Sequence, residues 1–132
     1  MAADKVSTVR HLYDAFGRGD IDTLLAGLTP DCRWQSNGDR AAYPTFGLFE
    51  GHDGVRSFFG HLAQELDFTL FSPDELHASG DKVFVIGHSA MTVRQTGKTV
   101  AMDWVHVFTF RDGKVSAFHD FVDTHQIVEA TR

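Results

Sequence analysis

Residues 82–122 read KVFVIGHSAMTVRQTGKTVAMDWVHVFTFRDGKVSAFHDFV, three apolar runs separated by two polar quartets that both end in Gly-Lys. Runs rich in Val, Phe and Thr, broken at Thr96-Gly97 and Asp112-Gly113, predict three antiparallel strands over residues 82–94, 99–110 and 114–122. Either quartet can close as a two-residue turn or as a type I turn followed by a bulged glycine. The choice matters, because a one-residue slip carries a strand's whole set of side chains to the other face. Glycine holds the third loop position both times, where a left-handed backbone is required, and this favours the bulges.

With bulges, Phe110 pairs with Lys114 and Arg94 with Lys98, so His106 opposes Phe118 and Ile86, and Trp104 opposes Asp120 and His88. One face then carries Phe84, Ile86, His88, Met102, Trp104, His106, Phe108, Phe118 and Asp120, an apolar wall with three ionisable groups set into it. The opposite face carries Val83, Val85, Val105, Val107, Ala117 and Phe121, which is too apolar to be left in water, so a homodimer through that face is expected. Two-residue turns would set His106 against His119 and send Asp120 to the other face.

Upstream, Val6, Val9, Leu12, Tyr13 and Phe16 fall on one face of a helix that Gly17 and Gly19 end. Asp20 has the character of an N-cap for a short second helix carrying Ile21, Leu24, Leu25 and Leu28, with Pro30 as its stop. A short strand over 32–36 holds Trp34, a glycine-rich loop with Tyr43, Phe46 and Phe49 spans 37–51, and a third helix covers 52–66. Strands at 68–71 and 75–78 flank Ser72-Pro73. Helices first and antiparallel hairpins second is the α+β order. No linker, repeat or second core is visible, so residues 1–132 read as one domain.

The chain has 42% hydrophobic and 23% charged residues and a formal net charge of −6. An acidic balance without a basic stripe argues against nucleic acid and against anionic membrane surfaces. No run approaches the roughly twenty apolar residues of a membrane span, and residues 1–10 lack the apolar run of a signal peptide. Cys32 is the sole cysteine, which suits a reducing compartment, so a cytoplasmic location is expected. Twelve Phe beside two Tyr and two Trp supply ring area for a core and for a pocket that takes a flat hydrophobic small molecule.

His106 and Asp120 are the candidate catalytic pair. A histidine and a carboxylate on neighbouring strands in an aromatic pocket can move a proton to or from carbon beside a carbonyl. The competing reading is a buried hydrogen-bonded pair that only fixes strand register. Tyr13, Trp34, His88, Trp104 and Phe118 are candidate ligand contacts, each with an ordinary packing role as its alternative. His119, Asp120, Asp123 and His125 have metal-ligand chemistry, but strand alternation separates His119 from Asp120, so no metal is expected. No phosphate loop, dinucleotide fingerprint or paired CxxC is present, so no cofactor is expected.

The segments FGRGDIDTLLAGLTPDCRW (16–34), GHDGVRSFF (51–59) and VHVFTFRDGKVSAFHDFVDT (105–124) resemble the opening, third helix and last hairpin of SnoaL-like proteins. These are ketosteroid-isomerase-like members of the nuclear-transport-factor-2-like superfamily. The resemblance implies a curved antiparallel sheet wrapped around N-terminal helices, a cone with one internal pocket that often dimerises through its outer face. It also implies that Asp120 stands where SnoaL-like polyketide cyclases hold their acid/base aspartate, and His106 where a histidine assists. Ser36 and Leu12 stand where ketosteroid isomerases hold the base Asp and the oxyanion Tyr, and His106 where they hold the oxyanion Asp, which argues against steroid isomerisation. The Asp–Arg–Asp set of limonene-type epoxide hydrolases has no clear match. The resemblance and the residues together imply a cofactor-free enzyme of cyclase or isomerase type, with hydrolysis less favoured, acting on a hydrophobic carbonyl compound. The alternative is a non-catalytic ligand-binding or accessory domain.

Overall fold

The computed structural model describes residues 2–132, with side chains from Lys5 onward. Met1, the first residue of the segment expected to lack a signal peptide, lies outside the described residues, as does the side chain of Asp4. The chain runs α1 (Ala2–Gly17), α2 (Ile21–Ala26), β1 (Leu28–Ser36), β2 (Gly47–Glu50), α3 (Gly51–Glu65), β3 (Leu66–Ser79), β4 (Lys82–Val93), β5 (Thr99–Arg111), β6 (Lys114–Phe121) and α4 (Thr124–Ala130). The strands form a curved, unclosed sheet in the order β2-β1-β6-β5-β4-β3. Neighbours are antiparallel except β1 and β6, which run parallel. None of the helices is long and apolar enough to cross a membrane among the described residues.

The helices begin and end where side chains can satisfy their free backbone groups. Asp20 caps α2 by accepting from Thr23 N at 3.1 Å, and Asp123 caps α4 by accepting from Gln126 N at 3.0 Å. The Thr23 hydroxyl and the Gln126 side-chain amide also donate to these carboxylates, and they first, with the backbone bonds second, hold both below the ordinary aspartate range, so the caps are intact at neutral pH. Their contribution is complete above the unfolded value of about 3.9 and fades as pH falls through the folded values. Pro30 does not stop a helix: α2 ends at Ala26, and β1 already starts at Leu28. α4 is an addition to the elements expected from sequence, although the Asp-x-x-Gln spacing at Asp123 and Gln126 is a capping signature.

β3 is one strand rather than two. Its register shifts leave Thr69 and Asp74 unpaired as extra residues, and such bulges bend and twist a strand. Pro73 is tolerated because β3 is an edge strand.

The hairpin registers differ from the expectation in both turns. Arg111 pairs with Lys114, so the second turn has two residues, Asp112 at φ 53° and Gly113 at φ 81°. One extra residue, Ser116, then shifts the pairing, and His106 comes directly opposite Asp120. His106 and Asp120 therefore share a face as expected, but as direct partners and through a bulge elsewhere. The first turn is a four-residue loop over 94–97 closed by Val93 N donating to Lys98 O. That places Val85 opposite His106 and Gly87 opposite Trp104, one residue away from the expected Ile86 and His88. Val83 and Val85 are accordingly core residues, while Phe84, Ile86 and His88 lie on the outer face.

The inner face packs against α1, α2 and α3 through Val9, Leu12, Ala15, Leu24, Val55 and Phe58. Gly87 forms a notch in this wall. A Cβ there would stand 2.4 Å from the Trp104 ring and 2.5 Å from the Ser72 carbonyl oxygen, a backbone atom that cannot swing away. The indole therefore lies flat across the strand only because residue 87 has no side chain. Gly87→Ala is expected to destabilise the fold by about 1–3 kcal/mol, the usual cost of overpacking, as measured by urea unfolding.

Candidate functional site

Alternation along β1, β5 and β6 sends Trp34, Ser36, Trp104, His106, Phe108, Phe118 and Asp120 to the concave face. α1 lays Tyr13 and Phe16 over them, α3 adds Phe58, Phe59 and Leu62, and β3 closes one side with Phe68 and Phe71. Together with Ile127 of α4, these side chains enclose a cavity. Its volume is about 90 Å³.

The polar groups form one chain at the cavity wall. Asp120 and His106 are buried, with 9% and 7% of their surface exposed. Ser36 Oγ donates to Asp120 Oδ2 at 3.4 Å. His106 Nε2 lies 3.3 Å from Asp120 Oδ1, within ion-pair range, yet Oδ1 has no hydrogen-bond partner among the described residues. The distance and the orphaned atom are reconciled by direction: the ring is close to Oδ1 but not aimed at it. On the far side of the ring, Tyr13 Oη stands 2.8 Å from His106 Nδ1. A carboxylate beside Nε2 favours the proton there, so Nδ1 accepts from the Tyr13 hydroxyl. Burial first, and the charge of Asp120 second, push the Tyr13 hydroxyl far above its ordinary value, so it stays protonated.

The aromatic rings hold this chain in place. Trp104 stacks on His106 at 3.9 Å and 14°, Phe71 lies 5.0 Å from Trp104 and 6.2 Å from His106, and Phe118 and His106 meet in a T at 4.9 Å. Trp104 Nε1 donates to Ser89 Oγ at 2.6 Å, which fixes the indole that fixes the histidine. At the end of β6, Asn37 grips Val122 through both its side-chain amide and its carbonyl oxygen, and its backbone N–H donates to the Asp120 carbonyl. Asp120 is thereby anchored at the point where β6 leaves the sheet.

Of the expected site residues, Asp120, His106, Tyr13, Trp34, Trp104 and Phe118 all line the cavity. His88 does not. It is half-exposed on the outer face, 2.6 Å from Asp74, because the four-residue loop at 94–97 turns even-numbered positions of β4 outward. His119 also faces out and stacks on Phe121, Asp123 caps α4, and no group suited to a metal occurs among the described residues. Phe71 and Ile127 are cavity residues that sequence reasoning does not single out, and Ser36, noted there only as standing where ketosteroid isomerases hold a base, lines the cavity too. The capping signature at Asp123 could have found the helix that brings Ile127.

The SnoaL-like domain family profile matches residues 9–118. An NTF2-like protein of unknown function from Burkholderia pseudomallei superposes with a TM-score of 0.89 at 32% identity, covering 97% of each chain. A second, from Burkholderia xenovorans, gives 0.91 at 29% identity over 100% of this chain and 98% of that one. TerC, crystallised with polyporic acid, gives 0.84 at 30% identity over 96% and 98%. No curated protein matches the sequence. The chain belongs to the SnoaL-like family, with the NTF2-like fold.

Removing the Tyr13 hydroxyl would leave Nδ1 of a buried histidine without its donor. Tyr13→Phe is expected to cost about 1–3 kcal/mol of folding stability, against a much smaller effect for an exposed control such as Arg10→Gln, both read from denaturant melts.

Proposed function

We propose that this protein is a cofactor-independent acid/base enzyme acting on a flat, hydrophobic carbonyl compound, with Asp120 as the base. The observation that carries this reading is Asp120 Oδ1, a buried carboxylate oxygen without a hydrogen-bond partner at the wall of an apolar cavity. Such an atom costs roughly 1–3 kcal/mol when left unpaired, and a substrate proton would relieve that. Oδ1 takes a proton from carbon beside the carbonyl. The C–H electron pair becomes the enolate double bond, the carbonyl π pair moves to oxygen, and Asp120 later returns the proton to carbon. Ser36 steadies the other carboxylate oxygen, and His106, wedged between Trp104 and Phe118, sets the orientation and the local charge. TerC, crystallised with polyporic acid, supports a ligand-holding cavity in this fold. Isomerisation and intramolecular ring closure both begin with this proton transfer.

The test uses 1-tetralone in deuterium oxide buffer, with NMR following exchange of the protons beside its carbonyl. Asp120→Asn is expected to lower the protein-catalysed rate by about 100-fold or more while the melting temperature barely moves, and His106→Ala is expected to cost less activity. A register-fixing pair gives the reverse: a stability loss of about 3–5 kcal/mol with exchange per folded molecule undiminished.

The homodimer remains part of this reading. Phe84, Ile86, Val105 and Phe121 crowd the outer face with 37–43% of their surface exposed. Asp74 and Asp103 stand at one end of that patch and Arg33 and Lys82 at the other. A two-fold arrangement would bring opposite charges together across it. Sedimentation is expected to give a dimer at micromolar concentration, and Ile86→Asp a monomer.

A further inference from the structure

A base that creates an enolate needs a partner for the oxygen that becomes negative, and three of the cavity's donors are already engaged. Tyr13 Oη donates to His106 Nδ1, Trp104 Nε1 to Ser89 Oγ, and Ser36 Oγ to Asp120 Oδ2. Tyr13 engages His106 Nδ1, while Nε2 lies 3.3 Å from Asp120 Oδ1 without a hydrogen bond to it. Among the described residues lining the cavity, the side-chain donors left without an acceptor are Thr45 Oγ1, the Ser89 hydroxyl, His106 Nε2 and Trp34 Nε1. Only the last is fully buried without a hydrogen-bond partner.

Trp34 is 4% exposed and lies on β1 two residues before Ser36, which bonds Asp120. It pairs with Phe118 across the parallel strands, and the two rings stack at 3.9 Å and 19°, so the indole is held rigidly on the wall that carries the carboxylate. Thr45 belongs instead to the loop whose Tyr43 and Phe46 pack in a separate cluster. Trp34 Nε1 and Asp120 Oδ1 are thus a donor and an acceptor, both orphaned, on neighbouring strands of one cavity.

We propose that the indole N–H of Trp34 is the oxyanion donor of this site and selects ketones whose carbonyl oxygen reaches it while an adjacent C–H meets Asp120. This rests on Asp120 as the base. As Oδ1 removes the proton from carbon, the C–H pair forms the C=C bond, the C=O π pair moves to oxygen, and that oxygen accepts the Trp34 N–H. Reprotonation by Asp120 at carbon reverses or completes the shift, with no other reactant.

The experiment measures deuterium exchange into 1-tetralone and calorimetric binding of 1-naphthol, which has the shape of the tetralone enol. Trp34→Phe keeps an aromatic ring and removes the donor. It is expected to lower kcat for exchange on the order of 100-fold, the usual cost of one oxyanion donor, with KM changed less than about threefold and 1-naphthol bound roughly tenfold more weakly. Thr45→Val is expected to leave all three near wild type. If Trp34→Phe melts early, benzothienylalanine at position 34 keeps the fused rings and replaces N–H by sulfur. Wild-type exchange by the Trp34 variant, with exchange lost in Asp120→Asn, removes Trp34 and leaves Asp120 as the base. A defect confined to KM also overturns the oxyanion role. Undiminished exchange in Asp120→Asn, or no exchange by the wild type, overturns the base and the donor together.

Discussion

Between Val115, opposite Phe110, and Ala117, opposite Thr109, β6 carries one residue more than β5 can pair. Ser116 takes up the difference, its hydroxyl donating to the Thr109 carbonyl at 3.3 Å. Because side chains alternate strictly along a strand, this one insertion decides which half of β6 faces the cavity. Continuing the tight turn's register without it would bring His119 opposite His106 and turn Asp120 to the outer surface. With it, Val115, Phe118 and Asp120 all point inward, three and then two residues apart. The carboxylate in the apolar wall is a consequence of backbone counting before it is one of chemistry.

Much of the architecture was legible because periodicity and punctuation agree. The helices follow their apolar spacing, the α2 N-cap is where Asp20 suggested, and each hairpin breaks at its glycine. The register was less legible. In β4 both faces are apolar, Val83 and Val85 on one and Phe84 and Ile86 on the other, so alternation carries no sign to say which is inside. The length of the loop at 94–97 settles it, and a Thr-Gly pair fits loops of several lengths. In β6 the expected pairing was displaced by two residues, which preserves the face and changes only the partner. That is why the His106–Asp120 pair could be read from sequence while His88 was misplaced. Ser36 was marked only as standing where ketosteroid isomerases hold a base, and Phe71 gave no signal at all, since a phenylalanine among twelve is unremarkable until strand β3 is laid beside β4.

Gly87 shows how distant choices converge on the site. Its missing side chain lets Trp104 lie across β4, Ser89 two residues on receives the indole N–H, and the ring so fixed stacks on His106. The imidazole then has one face against Trp104, a T-shaped contact with Phe118, and a nitrogen toward each of Tyr13 and Asp120. Holding a ring by packing, and not by hydrogen bonds to its reactive side, keeps the geometry fixed while leaving the adjacent carboxylate oxygen uncommitted.

On the proposed reading, that uncommitted oxygen is what separates a structural pair from a working one. A His–Asp contact selected only for stability would close the remaining gap and form the hydrogen bond, since buried polar atoms in native proteins are nearly always satisfied. Here the ring sits within ion-pair distance of Oδ1 and still leaves it unpaired, while an indole N–H on the neighbouring strand is unpaired as well. Two complementary orphans on residues that line one apolar cavity cost stability that the rest of the core must offset. Proteins accept such costs mainly where a ligand recovers them. The same low polarity that makes the orphans expensive strengthens whatever hydrogen bonds a bound molecule brings, so in the proposed site what destabilises the fold and what would bind the ligand are a single arrangement.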